Sequence, residues 1–576
     1  MSIGPEKTGA QVMIDTLLSH GVEVAWGIPG GALLPFYDDL YNSSLRHILV
    51  RHEQGAVHAA DAYARVTGKL GVAIGTSGPG ATNLITGIAN AKMDSIPVLA
   101  ITGQVATASI GTDAFQEADT YGLTIPITKY NALLKNPDDV ARITEEAIRV
   151  AMSGRQGPVH IDFPKDVQSG LTRKTTPGEL KVPARHIEPV PLVGDLDQLA
   201  DAINHAHRPV FYVGGGAVMS GASEVLLRIA EKAQIPVVST LTGLGAFPGT
   251  HNLHLGMLGM HGTAYANYAV QECDFILSIG ARFDDRVASD TKDFASHAVK
   301  AHIDIDPAEA NKRVAVDIYV QGDARVVLEQ IENSVLRVES REWARRVAEL
   351  RDANPLKFTL TGSDIKPQYV IHRIWERTRG EAVVATDVGQ HQMWAAQYYP
   401  LKNPRHWVTS AGLGTMGFGL PAALGAKIGK PDSEVILFSG DGSFQMNIQE
   451  LGTARENNIK VKIVLFNNGF LGMVRQWQEM FHGNRLSHSQ IHFNPDFTAI
   501  AGAYQIPAMA ISKPEEVEAA IDFLLNTDDI ALLEVRIPAE EKVFPMIPSG
   551  KAYTSMMDYE HSGDGSVFSP NQFKEN

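Results

Sequence analysis

The sequence predicts an α/β protein of three doubly wound parallel-sheet domains, the middle one Rossmann-like. Three observations carry that expectation. A chain of 576 residues is far too long for one hydrophobic core, so about three to four domains is the natural division. Apolar runs of strand length alternate with amphipathic helical stretches throughout. Two proline-bearing segments of little periodicity break that alternation. One spans residues 166–195, with Pro177, Pro183, Pro189 and Pro191; the other spans 351–367, after a charged helical pattern that begins near Ser340. The expected domains are therefore 1–185, 186–365 and 366–576.

The first block holds an apolar strand at 71–76, the turn Ser77-Gly78-Pro79-Gly80, an Ala-rich helix and a strand at 97–102. The third block repeats the unit: a strand at 435–438, the turn Ser439-Gly440-Asp441-Gly442, a helix and a strand at 461–466. A duplicated domain flanking a different middle one is the layout this implies. The middle block has a strand at 210–213 followed by Gly214-Gly215-Gly216, then RFDDR at 282–286 and HIDIDP at 302–307. It departs from G-x-G-x-x-G, so the pattern alone does not secure dinucleotide binding.

Composition excludes several function classes. The formal charge is −15 without a long basic block, which argues against a nucleic-acid footprint or a polybasic membrane anchor. Cys273 is the only cysteine, so an internal disulfide and a Cys-rich zinc site are both excluded. Residues 1–9 carry no secretory pattern and no apolar run approaches ~18 residues; the expected location is cytoplasmic. The 52 glycines cluster between strands and helices, as they do where backbone approaches a phosphate-bearing ligand.

The sharpest chemistry lies in the third block. Asp441 between Gly440 and Gly442 offers a hard carboxylate oxygen at a strand end, with Ser443 opening the next helix. Asn468 ends the next strand and adds an amide oxygen without further charge. A backbone carbonyl, that of Phe470, would complete the protein ligands of a Mg²⁺ whose other positions go to diphosphate and water. Each piece alone reads as an ordinary turn; together they match the signature of thiamine-diphosphate enzymes. Gly389, Gln390 and His391, after a strand at 382–386, supply a second glycine-bearing turn. Met416 offers a large unbranched side chain beneath the cofactor, or an ordinary core methionine. Thiamine chemistry also needs a carboxyl group against the pyrimidine ring. Glu53 in RHEQGA fits, where a strand passes into an Ala-rich helix. Alternatively it is a helix-first-turn acid favoured by the macrodipole. A metalloprotease motif fails because Ala56 stands where HExxH needs its second histidine.

Taken along nearly its whole length, the chain resembles the catalytic subunit of acetohydroxyacid (acetolactate) synthase, biosynthetic type. The resemblance rests on GIPGG at 27–31, RHEQGA at 51–56, TSGPGATN at 76–83, GTDAFQEAD at 111–119 and LGMLGMHG at 255–262. It continues through GARFDDR at 280–286, DVGQHQM at 387–393, GTMGFGLPAA at 414–423 and GMVRQWQ at 472–478. It implies three domains of the thiamine-diphosphate-enzyme type, with thiamine diphosphate, Mg²⁺ and FAD as cofactors. The implied reaction decarboxylates pyruvate and joins the two-carbon unit to a second 2-ketoacid. Pyruvate as acceptor gives 2-acetolactate; 2-ketobutyrate gives 2-aceto-2-hydroxybutyrate.

The resemblance also assigns residues. Gln116 stands beside the reacting groups, with Phe115 and Lys165 lining the channel. Arg286 receives the acceptor carboxylate, against the alternative of a salt bridge to Asp284 or Asp285. Trp477 meets the acceptor's extra methyl group, or is simply core. Asn83, Met473 and Val474 join the thiamine contacts. Arg155, Gly214, Gly215, Gly216, Met260, His261, Gly280, Arg282, Asp284, Asp304, Ile305, Asp323 and Ala324 hold FAD. A dimer or higher homo-oligomer with Glu53 of one copy facing Asp441 of another is implied, together with a regulatory small subunit. Ala106 departs from the pattern, since many relatives carry proline there, beside the channel where herbicides bind. The tail after about Val543 is read either as a cover over the site or as a loose end. Rival readings are a flavin-linked pyruvate oxidase or dehydrogenase, a flavin-free catabolic acetolactate synthase and a degenerate nucleotide-binding scaffold.

Overall fold

The computed structural model describes residues 6–176, 190–336, 340–360 and 362–558, with the backbone of 566–568. Three sheets of six strands, every neighbouring pair parallel, organise the chain. In the first, the strands in chain order are Val24–Gly27, Arg46–Leu49, Gly71–Gly75, Val98–Gln104, Tyr130–Leu133 and Val159–Pro164. Their spatial order is second, first, third, fourth, sixth, fifth. The third sheet uses Val383–Thr386, Trp407–Val408, Val435–Gly440, Lys462–Asn467, Ala508–Ile511 and Ala531–Arg536 in the same spatial order. The repeated S-G-x-G unit thus belongs to two copies of one topology.

The middle sheet is different. Pro209–Val213, Val237–Ser239, His254–Met257, Phe275–Ile279, Val299–Asp304 and Ile318–Gln321 lie in the order third, second, first, fourth, fifth, sixth. That is the Rossmann order, and it opens a crevice between Pro209–Val213 and Phe275–Ile279, where the winding reverses. Parallel sheets need both faces covered, and each sheet here has one apolar cluster per face.

The first and third domains meet through equivalent crossovers. Helix Glu53–Thr67 and helix Gly419–Gly429 each link the second strand of its sheet to the third, and they lie against one another. Small residues permit the approach. A Cβ on Gly425 would fall 2.7 Å from the Ala59 carbonyl carbon and 2.8 Å from its Cα.

Several sequence expectations need correction. The S-G-x-G turns do not lead into one long helix. Each opens a short one, Pro79–Asn83 or Asp441–Phe444, before the longer Ile85–Asp94 or Glu450–Glu456. The segment 166–195 is not wholly a linker. Residues Lys165–Ser169 are helical, and strand Leu171–Thr172 pairs antiparallel with Lys7–Thr8. Pro177, Pro183 and Pro189 lie outside the described residues. The charged helix is Arg341–Ala353, capped by Ser340, and it buries Trp343 against the middle domain. After it, strand Phe358–Leu360 pairs antiparallel with Ser566–Phe568 inside the expected second linker. The tail beyond Val543 packs on the middle domain as far as it is described. Ile547 donates its N–H to the Met260 carbonyl at 2.8 Å, and Tyr553 is buried. Among the described residues no helix is long and apolar enough to cross a membrane.

Candidate functional site

The expected site residues fall into three groups. The first gathers around Glu53, which opens helix Glu53–Thr67 and is buried. Asn83 donates its Nδ2 to Glu53 Oε2 at 2.9 Å. The turn Gly78–Gly80 lies over the other oxygen, where a Cβ on Gly80 would stand 3.2 Å from Oε1. Gln116, at φ 60°, packs on Gly78, whose own φ is 61°. A Cβ on Gly78 would come within 3.0 Å of Gln116 Cα, so glycine is required for backbone angle and space alike. Phe115 beside it is 88% exposed, and Lys165 is exposed at the start of its helix.

The second group is the carboxylate corner of the third sheet. Asp441 is buried at the end of strand Val435–Gly440. Its Oδ2 accepts from Gly469 N at 3.1 Å and Asn494 Nδ2 at 2.7 Å. Burial pushes its carboxyl up to about 6, against the pull of those donors. Asn468 lies just past strand Lys462–Asn467, and its Oδ1 accepts from Phe470 N at 3.0 Å. Phe470 bridges to Gln490 and carries the Arg475 guanidinium 4.3 Å above its ring. The donor set is therefore one carboxylate, one amide and backbone carbonyls. Among the described residues, no group of three or more His, Cys, Asp or Glu is assembled for a metal. Such a set suits a hard cation that takes its remaining oxygens from a diphosphate.

Around this corner, Gly389 and Gly440 both lie against the His391 ring. A Cβ on Gly440 would meet Nδ1 at 2.9 Å. Burial holds the imidazole down to about 3, and its Nε2 has no partner among the described residues. Gln390 gives Nε2 to Gln476 and to the Glu541 carbonyl, leaving its buried Oε1 unpaired among the described residues. These orphaned polar atoms beside glycine backbone fit an oxygen-rich, hydrogen-bonding ligand. Ser443 Oγ folds back onto Gly440. Met416 sits in a loop held by Asp387, which accepts from Gly417 N at 2.9 Å and Gly419 N at 3.1 Å.

The third group lines a cavity of about 720 Å³ that runs from the Rossmann crevice to Gly389 and Met416. Arg155, Gly214, Gly215, Gly216, Met260, His261, Gly280, Arg282, Asp284, Arg286, Asp304, Ile305, Asp323 and Ala324 line it, as do Met473, Val474 and Trp477. Its length and mixed lining fit an extended dinucleotide. Two expectations shift in detail. Gly214 and Gly216 face another turn more than a ligand: a Cβ on Gly216 would stand 2.8 Å from Gly280 Cα, and Gly216 N donates to Gly280 O at 3.0 Å. The Asp323 carboxylate caps helix Ala324–Ile331 by accepting from Arg325 N and Val326 N, which leaves its second oxygen for a ligand.

Arg286 is not committed to a salt bridge. Asp284 accepts backbone N–H groups from Arg286 and Val287, and Asp285 lies 3.9 Å from Arg286 Nε with both side chains exposed. Such a pair is worth little, so the guanidinium is open to an anion. Burial and the Arg286 charge together push His261 down to about 4. Trp477 Nε1 is buried without a partner among the described residues, its ring edge-on to Phe481 at 5.8 Å. At Ala106 the backbone lies at φ −54°, an angle proline also takes.

Sequence reasoning missed Asn494 and Asp387, which hold Asp441 and the Met416 loop, and Thr240 and Thr242 on the cavity wall. The run Ser239-Thr240-Leu241-Thr242-Gly243 after a strand was a legible signal for the last two. Arg155 is also more than a lining residue, since it ties Ser95 of the first domain to Asp306 and Glu309 of the middle one.

Comparison with known proteins completes the picture. Residues 7–123, 196–331 and 387–535 match the N-terminal TPP binding, central and C-terminal TPP binding domains of thiamine pyrophosphate enzymes. The acetolactate synthase large subunit of Lactococcus lactis subsp. lactis is 47% identical over 545 residues, covering 94% of this chain and 95% of the relative. The isozyme 2 large subunit of Escherichia coli is 46% identical over 553 residues, with 96% and 99% covered. A chloroplastic acetolactate synthase of Brassica napus is 45% identical over 576 residues, with 97% and 87% covered. Likeness of that depth and length, on two domains of one topology around a Rossmann centre, is decisive: the chain belongs to the acetolactate synthase large-subunit family of thiamine pyrophosphate enzymes.

Proposed function

We propose that the chain decarboxylates pyruvate and transfers the two-carbon unit to a second pyruvate or to 2-ketobutyrate. When bound, thiamine diphosphate supplies the electron sink for both steps. Glu53 shares a proton with the pyrimidine ring, kept in register by Asn83 and free of bulk where Gly78 and Gly80 lie over it. Asp441, Asn468 and the Phe470 carbonyl hold Mg²⁺. Gly389, Gln390, His391, Gly440, Gly442 and Ser443 receive the diphosphate, and Met416, Met473 and Val474 support the cofactor between its ends. Arg282, Asp304 and Asp323 would anchor FAD in the crevice, with Arg155 lining it. Arg286 takes the acceptor carboxylate, and Trp477 favours the larger acceptor by about 1–3 kcal/mol, a preference and not an exclusion. Gln116, Phe115 and Lys165 line the approach.

The observation that supports this reading most is Glu53 itself: a buried carboxylate with an amide on one oxygen and a glycine turn over the other. Glu53, Asn83 and Gln116 lie outside the cavity that joins the flavin crevice to Gly389 and Met416. Phe115, Leu34, Leu123 and Ile125 leave the first domain with exposed apolar surface. We therefore infer a homodimer in which Glu53 of one copy faces Asp441 of the other. A smaller regulatory partner is inferred as well, because the relatives carry the name large subunit. Incubating the protein with pyruvate and 2-ketobutyrate, with and without thiamine diphosphate, Mg²⁺ and FAD, tests the reaction. Both acetohydroxy acids should form only with thiamine diphosphate and Mg²⁺ present, and hardly at all with Glu53→Gln. Acetaldehyde or acetate as sole product would refute it.

A further inference from the structure

Glu450 is fully buried, and the reading above gives it no task. It opens helix Glu450–Glu456 of the third domain, yet its carboxylate serves the first. Oε1 accepts the backbone N–H groups of Arg51 and His52, each at 3.0 Å, and Oε2 accepts from Thr453 Oγ1 at 2.6 Å. Gly55 makes room for this, since a Cβ there would stand 2.7 Å from Glu450 Oε1 and 2.9 Å from its Cδ. Gln54 N, just past Glu53, is taken by His52 Nδ1 at 3.1 Å. The backbone leading into Glu53 is thus fixed from a different domain.

The arrangement has a counterpart on the other side of the same interface. Asp94, at the end of helix Ile85–Asp94, accepts from Ala411 N at 3.0 Å and Gly412 N at 2.7 Å. Those residues lie in the loop before helix Gly419–Gly429, whereas Arg51 and His52 run directly into Glu53–Thr67. Each duplicated domain therefore places an acid, downstream of its S-G-x-G turn, on the segment that leads to the other's crossover helix, but only Glu450 holds the two residues directly before it. On the first-domain side the clamped backbone runs directly into the activating carboxylate.

We propose that Glu450 is a positioning residue, holding Glu53 in register with the cofactor ring by clamping the Arg51 and His52 N–H groups. This rests on the reading of Glu53 given above. What the clamp requires is an acceptor oxygen at the right reach. Burial pushes the Glu450 carboxyl up while Thr453 and the two N–H groups pull it down. A glutamine of equal length keeps an oxygen on both N–H groups. Aspartate keeps the charge but withdraws the acceptor by about one C–C bond, roughly 1.5 Å. Two buried N–H groups then go unpaired and Glu53 loses its fixed start.

The test measures exchange of the cofactor's C2 proton with deuterium, read by NMR after acid quench, in enzyme reconstituted with thiamine diphosphate and Mg²⁺. Cofactor Kd and thermal midpoint are followed alongside. Glu450→Gln should exchange within about threefold of the parent. Glu450→Asp should exchange at least about tenfold slower at saturating cofactor, since a misplacement near 1 Å costs up to ~10²-fold. Parent-rate exchange in Glu450→Asp would overturn the proposal. So would slow Glu450→Gln beside normal Glu450→Asp, because charge and not reach would then matter. If Glu450→Asp does not fold, Gly55→Ala displaces the same oxygen, and it must slow exchange for the proposal to stand. Glu53→Gln separates the two claims: parent-rate exchange there defeats the reading of Glu53, whereas slow Glu53→Gln with normal Glu450→Asp defeats only the clamp.

Discussion

Gly425→Ala sets two effects of opposite sign against each other. In a helix interior, alanine is favoured over glycine by about 1 kcal/mol. Gly425 lies within helix Gly419–Gly429, so propensity alone predicts stabilisation. The added Cβ, however, would stand 2.7 Å from the Ala59 carbonyl carbon and 2.8 Å from its Cα, where ordinary contact begins at 3.4 Å. Both obstacles are backbone, so no rotamer relieves them, and the two helices must part by about 1 Å. Overpacking of that kind costs about 1–3 kcal/mol, and a gap of this size forfeits a quarter to a half of the dispersion along the seam. The upper end applies against rigid backbone, leaving a net loss of about 2 kcal/mol. For domains of this size, that lowers the melting temperature by about 4–8 °C. Because the displaced helix begins at Glu53, turnover should also fall by up to ~10²-fold. Gly502 is the control. It lies in helix Phe497–Ala503 with nothing within 4 Å of its ideal Cβ, so Gly502→Ala should raise stability by about 0.5–1 kcal/mol. Calorimetric melting of both variants decides the matter. A Gly425→Ala protein as stable and active as the parent would refute the close packing of the two crossover helices.

Arg286→Ala should raise the KM for the acceptor 2-ketoacid by tenfold or more, the scale of one lost charge-assisted bond of about 1.5–3 kcal/mol. Steady-state kinetics with varied acceptor reads it, and unchanged kinetics would return Arg286 to a structural role. Asn494→Ala removes the 2.7 Å bond to Asp441 Oδ2 and should weaken Mg²⁺ binding by calorimetry while leaving pyruvate KM at saturating metal unchanged. Asp162 supplies a pH prediction: burial pushes its carboxyl up to about 7, against hydrogen bonds from Thr102 and Gln104. The folded chain then holds a proton that the unfolded chain releases near 3.9, so stability is fully present at low pH and declines between about pH 4 and 7. The upper bound on that decline is on the order of 4 kcal/mol. Asp162→Asn should flatten this slope in denaturation followed at pH 5 and pH 8, and an unchanged slope would assign it elsewhere.

What was legible in the sequence was local. Gly440-Asp441-Gly442 and Asn468 announce themselves because a strand end, a glycine and an oxygen donor are contiguous in the chain. The two S-G-x-G turns announced a duplication, which the shared strand order of the first and third sheets bears out. The partners that hold these residues were not legible, because they arrive from far away. Asn494 reaches Asp441 across 53 residues, and Glu450 reaches His52 across 398. Periodicity and motif spacing carry no information about such pairs. The Gly214-Gly215-Gly216 run is ambiguous in a different way. Two of its glycines are needed for one turn to pass another at the reversal of the sheet, a demand that looks identical in sequence to making room for a phosphate.

The central claim is that each active site is assembled from Glu53 of one copy and Asp441 of another. Mixing measures it directly. Glu53→Gln and Asp441→Asn proteins, each inactive alone, are dissociated, combined in equal amounts and allowed to reassemble. A shared site predicts that half of the dimers are mixed and that each mixed dimer carries one intact site of two. Acetolactate formation should then recover to about a quarter of the parent's. Sites contained within single chains would leave every site damaged, and a mixture as inactive as its components would contradict the account.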